Sequence, residues 1–291
     1  MKRREFLQSS ASLAAAAILP SSLFFADKST PIGLQLWSVR DAMSKDAKGT
    51  LKSVAQHGYK FVEGFGFANG GWFGIPAAEL KKTMADMGIS MKSSHQMITV
   101  KQYKEAGNQL PDDFKKAVDA ALIMGQKYII CPYMADEDRN KEGVKILCEA
   151  FNKAGEYTKK QGIRYGYHNH AFEFDTRIDD APMYKMLLDN TDPKLVTFEM
   201  DMCWVVRGKY NPVDWFNLYP GRFELSHIKD LAHQSKDESA IVGHGIVDFK
   251  QVIANQKKGG MKYWIVELEH YTPSGSVADV GISYKNLRKI L

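Results

Sequence analysis

The chain has 291 residues, 44% of them hydrophobic, and a formal net charge of +5. Its length suits a single α/β barrel of about 250 residues, although two small domains would also fit. The basic residues form no long run in the body of the chain, which argues against a nucleic-acid-binding surface. The three cysteines match neither a disulfide framework nor a CxxC zinc motif, and Cys131 and Cys203 lie in apolar runs, where we expect core packing.

The first 26 residues predict an export signal. Lys2, Arg3 and Arg4 precede a short stretch rich in alanine and serine, which is the layout of a secretory signal and is too short to span a bilayer comfortably. The run Arg3–Leu7 (RREFL) resembles a twin-arginine signal, whose pathway exports folded proteins. We therefore predict a periplasmic protein with no stable membrane span after processing and with its fold in residues 27–291. An amphipathic N-terminal helix is the alternative.

From residue 30 onward, amphipathic segments alternate with short β-rich runs. Five of the amphipathic segments end at a glycine, which suits the left-handed residue that closes a helix. These glycines are Gly58, Gly88, Gly125, Gly162 and Gly260. The predicted strands are Ile32–Trp37, Phe61–Glu63, Ile89–Met91, Tyr128–Ile130, Ile163–Tyr165, Leu195–Met202, Phe223–Ile228 and Tyr263–Val266.

The segments between these strands have the apolar spacing of helices. In the segment 112–125, one apolar face is predicted to comprise Phe114, Val118, Ala121, Leu122 and Met124. Alternating strands and helices predict a parallel sheet with right-handed crossovers. Eight such units over this length predict the α/β class and a single closed (β/α)₈ barrel. No GxGxxG turn follows the first strand, which argues against a dinucleotide-binding fold.

Polar residues end nearly every predicted strand, and barrels of this kind carry their active sites at those ends. The residues concerned are Gln35, Trp37, Glu63, His95, Tyr133, His168, His170, Glu199, Asp201, His227, Lys229, Glu267 and Glu269. Taken singly, each has an ordinary explanation, such as a surface histidine or an acid that caps a helix. Several lie two residues apart and share one face of a strand, so ionisable groups would crowd the barrel mouth. A divalent metal ion bound by imidazole and carboxylate groups would neutralise that crowd.

Five motifs, in this order, resemble the xylose isomerase-like TIM-barrel family. They are Gly33–Asp41 (GLQLWSVRD), Tyr167–His170 (YHNH), Met200–Trp204 (MDMCW), His227–Asp230 (HIKD) and Ile265–Glu267 (IVE). The resemblance covers essentially residues 31–291. It implies a TIM barrel from a family of sugar epimerases, hydroxypyruvate isomerase, inosose dehydratase and proteins named sugar phosphate isomerase/epimerase.

The resemblance also implies a metal site with one ligand from each of the last four strands. Carried over by position, the ligands are His168, Asp201, His227 and Glu267, which would hold one ion of Mn²⁺, Zn²⁺ or Mg²⁺. Relatives usually have a glutamate at the position of His168. Related epimerases use that glutamate and the strand-eight glutamate as an opposed acid and base, and this chain lacks half of that pair.

The predicted reaction is metal-assisted removal of a proton beside a carbonyl, through an enediolate, with isomerisation or epimerisation as the outcome. Glu267 is predicted to be both ligand and base, and Glu269 or Glu63 would serve the second proton transfer. Lys229 and His95 would bind or polarise hydroxyl groups. Trp37, Trp204 and Tyr133 offer flat faces to a sugar, and the other predicted substrate-binding residues are Gln35, Glu63 and His170. His170, Glu173 and Glu199 are alternatively supports that orient the ligands.

The predicted substrate is a non-phosphorylated sugar or keto-sugar, because no phosphate-binding GxxxxGK loop occurs and sugar phosphates are largely cytoplasmic. Loss of a β-substituent would instead make the protein a keto-sugar or inosose-type dehydratase or lyase. A non-catalytic sugar-binding barrel is a further alternative. An endonuclease IV-like enzyme would need more metal ligands and a basic DNA-binding face.

Overall fold

Eight parallel strands close into a barrel in the computed structural model, which describes residues 30–233 and 237–291. In chain order, β1 to β8 are Ile32–Gln35, Phe61–Gly64, Ser90–His95, Tyr128–Cys131, Arg164–His168, Val196–Asp201, Leu225–Ile228 and Tyr263–Val266. The last strand pairs with the first, for example at Gly33 and Ile265, and this pairing closes the barrel. The predicted (β/α)₈ barrel is confirmed, and the predicted export signal lies outside the described residues.

Helices connect consecutive strands and surround the barrel. Their bounds are Arg40–Lys45, Ala47–His57, Ala77–Asp86, Val100–Glu105, Asp112–Met124, Lys141–Lys159, Phe172–Asp175, Met183–Asp189, Met202–Arg207, Pro212–Leu218, Phe249–Gly259 and Ser276–Ile290, with 3₁₀ turns at Leu36–Val39 and Asp136–Asp138. Small antiparallel sheets occupy loops that follow β2, β5 and β7. Within the two described ranges, no helix combines the length and the apolar character needed to cross a membrane.

The glycines placed by the sequence before strands have the backbone conformation that a helix end requires. Gly58 follows the helix Ala47–His57 with φ of 109°, and Gly125 follows Asp112–Met124 with φ of 75°. The other three also have positive φ, so the predicted helix ends are confirmed. Leu122 differs from its prediction, since 40% of it is exposed. Successive helical residues are about 100° apart, and this turns Leu122 away from the buried Ala121.

The barrel interior has an apolar lower half, at the N-terminal ends of the strands, and a polar upper half. The lower half is a buried cluster of Phe61, Tyr128, Ile130, Leu225 and Ile265. Glycine makes room for it, because a Cβ at Gly33 would lie 2.2 Å from the Phe61 ring. Side chains two residues apart face the same way along a strand. Glu63, His227 and Glu267 therefore follow Phe61, Leu225 and Ile265 into the upper half.

The first strand ends two residues earlier than the sequence predicts. Gln35 is its last residue, and the 3₁₀ turn Leu36–Val39 follows directly. The Gln35 side-chain oxygen accepts a hydrogen bond from the Trp37 backbone N–H at 3.0 Å. This contact starts the turn, and Trp37 consequently lies at the barrel rim, 42% exposed.

Candidate metal centre and active site

Four buried side chains from the ends of β5 to β8 converge in the upper half of the barrel. They are His168, Asp201, His227 and Glu267, and they offer ligand atoms that lie within 4.8 Å of one another. Nδ1 of His227 is 3.0 Å from Oε2 of Glu267 and 3.9 Å from Oδ2 of Asp201. We call these residues the outer set. The structure thus brings together the four residues that the family resemblance implied as ligands.

Asp201 is held so that one of its carboxylate oxygens remains available. Its backbone N–H donates to Oδ1 of Asn169 at 3.1 Å, and Nδ2 of Asn169 donates to the Asp201 carbonyl at 3.3 Å. Oδ1 of Asp201 accepts a bond from the Trp204 N–H at the start of the helix Met202–Arg207. Oδ2 is buried and has no hydrogen-bond partner among the described residues. Because buried polar atoms normally have partners, Oδ2 fits the role of a metal ligand.

Lys229 partly neutralises the two carboxylates of the outer set and the neighbouring Glu269. Its Nζ is 2.9 Å from Oε1 of Glu269, 3.3 Å from Oε2 of Glu267 and 3.6 Å from Oδ2 of Asp201. Burial lowers the pKa of Lys229, but the surrounding carboxylates raise it above its ordinary value. Lys229 is therefore an ammonium group that can donate hydrogen bonds, and it is not a candidate base.

A second group of ligand-type side chains lies deeper and shares two members with the outer set. It consists of His95, His168, Glu199 and His227, whose ligand atoms also lie within 4.8 Å of one another. We call it the inner set. Oε2 of Glu199 is 3.2 Å from Nε2 of His95, 3.2 Å from Nδ1 of His168 and 3.1 Å from Nε2 of His227. The sequence suggested Glu199 only as a support, and its depth in the barrel depends on the register between strands.

Glu63 lies fully buried beside the inner set. Its Oε1 is 2.8 Å from Nε2 of His227 and 3.0 Å from Nε2 of His95, and it accepts a bond from Nε2 of Gln35 at 2.8 Å. Burial raises the pKa of Glu63, but the two imidazoles lower it below its ordinary value. Burial lowers the pKa of His95, yet Glu63 and Glu199 raise it to about 9. Gln35 and Glu63 thus lie among interior ion pairs.

A cavity of about 600 Å³ opens above these groups. Its floor has ionisable side chains from both sets and their neighbours, namely His95, His168, His170, Glu267 and Glu269. Its walls include Trp37 and Tyr133, as the sequence predicted, together with Phe65, Phe67 and Met97, which it did not. Trp204 is buried behind this surface, 6.0 Å from the His170 ring and 4.3 Å from Nζ of Lys229. Phe65 and Phe67 follow β2 directly, and this position is a signal that could have identified them.

Comparison with known proteins identifies the family of this barrel. The family model described as xylose isomerase-like TIM barrel matches residues 51–290. The chain belongs to this family. A sugar phosphate isomerase/epimerase from Parabacteroides distasonis has a TM-score of 0.77 and 31% sequence identity, covering 89% of this chain and 93% of its own. Inosose dehydratase from Geobacillus kaustophilus is 23% identical over 247 residues, which are 74% of this chain and 77% of that protein.

A more distant solved structure shares the fold alone. It is the IOLI protein with a bound zinc atom, which has a TM-score of 0.69 and 13% identity and covers 90% of this chain and 98% of its own.

This member of the xylose isomerase-like family has an asymmetric cavity floor. Among the described residues that line the cavity, the carboxylates are Glu267 and Glu269, which both follow β8. The β5 side instead presents the imidazoles of His168 and His170. Burial and the charge of Lys229 lower the pKa of His170 to about 3, so its ring is neutral.

Glu173 supports the segment that carries His170. Its two carboxylate oxygens accept bonds from the Tyr167 hydroxyl at 2.6 Å and the His170 backbone N–H at 2.8 Å. Burial outweighs these bonds and raises the pKa of Glu173 to about 7. Glu173 therefore holds the chain that follows β5.

Asp230, the last residue of the HIKD motif, anchors a loop at the barrel mouth. Its Oδ2 accepts bonds from the backbone N–H groups of Gly243 and Gly245, both at 2.9 Å, and its Oδ1 accepts from Val247 at 3.1 Å. A Cβ at Gly245 would lie 2.2 Å from the Leu231 carbonyl oxygen, so the loop can approach this closely only with glycine there. Asp230 thus fixes the loop that follows β7, a role that the sequence analysis missed.

Proposed function

We propose that this protein is a metal-dependent enzyme that removes a proton beside the carbonyl of a non-phosphorylated sugar or keto-sugar. The outer set, with the additional carboxylate Glu269 at the floor of the same cavity, is the observation that carries the proposal. Two imidazoles and two carboxylates suit Zn²⁺ or Mn²⁺, and Oδ2 of Asp201, which has no hydrogen-bond partner among the described residues, supports this assignment. A bound ion would polarise the substrate carbonyl and stabilise negative charge as the proton leaves. The names of the relatives support sugar chemistry.

Glu269 is the residue that we assign as the base. Its side chain lines the cavity and is 24% exposed, whereas Glu267 is buried within the outer set. A base must reach the substrate proton, and its reactivity depends on the charges around it. The Lys229 ammonium, 2.9 Å from Oε1 of Glu269, would keep this carboxylate oriented.

The position of the two lining carboxylates favours isomerisation over epimerisation. Epimerisation requires that the proton leave from one face of the carbon and return to the other. Glu267 and Glu269 both follow β8, and the β5 side offers imidazoles, of which His170 is neutral with a low pKa. One carboxylate on one side of the cavity can move a proton between two neighbouring substrate carbons on the same face of the substrate. We therefore propose aldose–ketose isomerisation as the leading outcome.

Dehydration is the second candidate, and the relatives named inosose dehydratase favour it. Removal of the same proton followed by loss of a β-hydroxyl would use Glu269 as the base. The proton taken by Glu269 would pass to the departing hydroxyl, which leaves as water. This outcome needs no proton return to carbon, so it is also compatible with a carboxylate on one side only.

The cavity lining supports a neutral substrate. Among the described residues that line it, none is a lysine or an arginine, and two are carboxylates. A phosphate group would be repelled by these carboxylates, and the cationic His95 ring in the lining is already paired with Glu63 and Glu199. The export predicted from the first 26 residues agrees with a non-phosphorylated substrate, and we propose a periplasmic location.

Solvent hydrogen exchange tests the proposal directly. Purified protein, loaded with Mn²⁺ or Zn²⁺, is incubated in deuterated water with a panel of aldoses, keto-sugars and ketocyclitols, and the same panel as phosphate esters. We expect deuterium at one carbon beside the carbonyl of a non-phosphorylated compound, and none after chelation. Turnover of phosphate esters alone would contradict the substrate assignment. Turnover of any substrate by the chelated enzyme would contradict the metal dependence.

Mass spectrometry of the same reactions separates the two outcomes. An isomerase gives a product of unchanged composition that carries deuterium, whereas a dehydratase gives a product that has lost water. A Glu79→Gln variant is the matched control for substitution of the proposed base Glu269, because Glu79 is an exposed glutamate paired with Lys48 on the surface. It should exchange at the wild-type rate.

A further inference from the structure

In the inner set, the three donor spacings measured from Oε2 of Glu199 match those of a zinc site. A tetrahedral zinc site with bonds of about 2.0–2.1 Å places its ligand atoms about 3.3 Å from one another. Oε2 of Glu199 lies 3.1–3.2 Å from one nitrogen of each of three imidazoles, those of His95, His168 and His227. These spacings are within a few tenths of an ångström of the edge of such a tetrahedron.

Hydrogen bonding does not account for all of these buried atoms. Nδ1 of His168 and Oε1 of Glu199 have no hydrogen-bond partner among the described residues, and His168 is only 2% exposed. The approach of Nδ1 to Glu199 is therefore close without the direction that a hydrogen bond needs. Unpaired buried polar atoms are rare in folded proteins, and each one requires an explanation. A shared cation would give both side chains a partner.

The inner set faces a different position from the outer set. Nδ1 of His227 lies near Glu267, whereas its Nε2 lies 3.1 Å from Oε2 of Glu199 and 2.8 Å from Oε1 of Glu63. The two ring nitrogens point away from each other, so each faces a separate ligand group. Along β6, Glu199 precedes Asp201 by two residues, which places it about 6.6 Å earlier along the strand and therefore deeper in the barrel. A cation held by Glu199 would thus lie below one held by Asp201.

The charges around the inner set also favour a cation. Glu63 and Glu199 are both fully buried there, and the contacts of Lys229 are with the outer carboxylates Asp201, Glu267 and Glu269. Two buried carboxylates so close together are costly unless positive charge accompanies them, and without a metal ion that charge must come from protonated rings of His95 and His227. Three imidazole nitrogens with one carboxylate suit Zn²⁺ rather than Mg²⁺, which prefers oxygen ligands.

We propose that His95, His168, Glu199 and His227 form a second, deeper zinc-binding position, with Glu63 as the carboxylate that neutralises it. Binding there would replace the protons shared between the imidazoles and the two glutamates, since imidazole binds metal in its neutral form. The argument for this position does not rest on the reaction proposed above. His227 and His168 belong to both sets, so an ion at either position would fix the ligands of the other.

Zinc alone is the probe for this position. The full chain is stripped with a chelator, titrated with Zn²⁺ and crystallised, and anomalous scattering at the zinc edge locates every bound ion. We expect an anomalous peak between His95, Glu199 and His227. A peak bordered only by Asp201 and Glu267, or no zinc at all, would overturn the proposal.

Two variants check the assignment in solution by elemental analysis and calorimetry. Glu199→Gln and His95→Gln should each lose the zinc equivalent of the inner position relative to wild type. Glu224→Gln is the matched control, because Glu224 is a buried glutamate whose partners, Tyr128 and Arg164, lie at the other end of the barrel. It should bind as much zinc as wild type, and unchanged zinc content in both inner-set variants would contradict the proposal.

The wild-type crystal decides the question even if a variant fails to fold. Zinc binding and solvent exchange are also separate measurements. An enzyme that exchanges deuterium with zinc only at the outer set would disprove the deeper position and leave the proposed function intact.

Discussion

The two halves of the barrel interior are built from the same strands with opposite chemistry. In the lower half, Phe61, Leu225 and Ile265 pack in a buried apolar cluster. Two residues further along the same strands, Glu63, His227 and Glu267 form a buried network of charges. Apolar burial stabilises the fold, whereas crowded carboxylates and imidazoles do so only with partners. The lower half therefore stabilises the barrel. This stability offsets the cost of the buried charges in the upper half, where we propose the active site.

The largest expected effect is on catalysis in the upper half. Glu269→Gln removes the proposed base while it keeps the shape of a side chain that is 24% exposed. We expect kcat to fall by about 10²–10⁴-fold, which is the usual contribution of a general base. The free energy of unfolding should change by less than about 1 kcal/mol, as for most exposed positions. Steady-state kinetics and urea unfolding measure the two effects, and a variant with wild-type kcat would exclude Glu269 as the base.

A substitution in the lower half should reduce the stability of the protein. Phe61→Ala deletes a buried ring that packs 5.5 Å from the Tyr263 ring, and we expect a loss of about 3–5 kcal/mol in unfolding free energy. Trp37→Ala is the control for stability, because its ring is 42% exposed at the rim and should cost about 1 kcal/mol or less. Equal destabilisation by the two changes, measured by urea unfolding, would show that the lower cluster is not the main support of the barrel.

Glu173 is expected to make the free energy of unfolding depend on pH. Its pKa in the folded protein is about 7, above the ordinary value of 4.5, because the carboxyl group is buried. The folded state therefore binds this proton more tightly than the unfolded state. The stabilisation is fully present below about pH 4.5 and is lost as the pH rises through about 7, amounting to at most about 3 kcal/mol.

The comparison of wild type with Glu173→Gln isolates this effect from the other carboxyl groups. The wild type should lose stability relative to the variant when urea unfolding is repeated from about pH 5 to about pH 8. A difference that does not vary with pH would mean that Glu173 titrates normally.

Metal removal gives a smaller stability effect that belongs to the upper half alone. At free Zn²⁺ about one hundred times the dissociation constant, the ion should add about 2.7 kcal/mol to the unfolding free energy. Chelation should remove this increment in the wild type and equally in Ile130→Val, because Ile130 belongs to the lower cluster. Thermal unfolding with and without chelator measures it. Identical melting curves in the two conditions would contradict metal binding by the native state.

The amino-acid sequence alone determined the elements and the face of each strand on which polar residues lie. Glycines such as Gly58 and Gly125 marked helix ends because a left-handed backbone favours glycine. Alternation predicted that polar residues two apart, such as His227 and Lys229 or Glu267 and Glu269, share one face of a strand, because side chains repeat every two residues. These are local rules, and they require no knowledge of which strands are neighbours.

The tertiary structure alone decided how deep each polar side chain lies in the barrel and which side chains it contacts. The register of the barrel places Glu199 beside His168 and Asp201 beside His227, and barrel closure brings Glu63 to His227 across 164 residues of sequence. Register is set by how the interior side chains pack, for example the Phe61 ring over Gly33, and no local pattern encodes it. The sequence could therefore predict a polar barrel mouth, but the division into an outer and an inner set depended on the closed barrel.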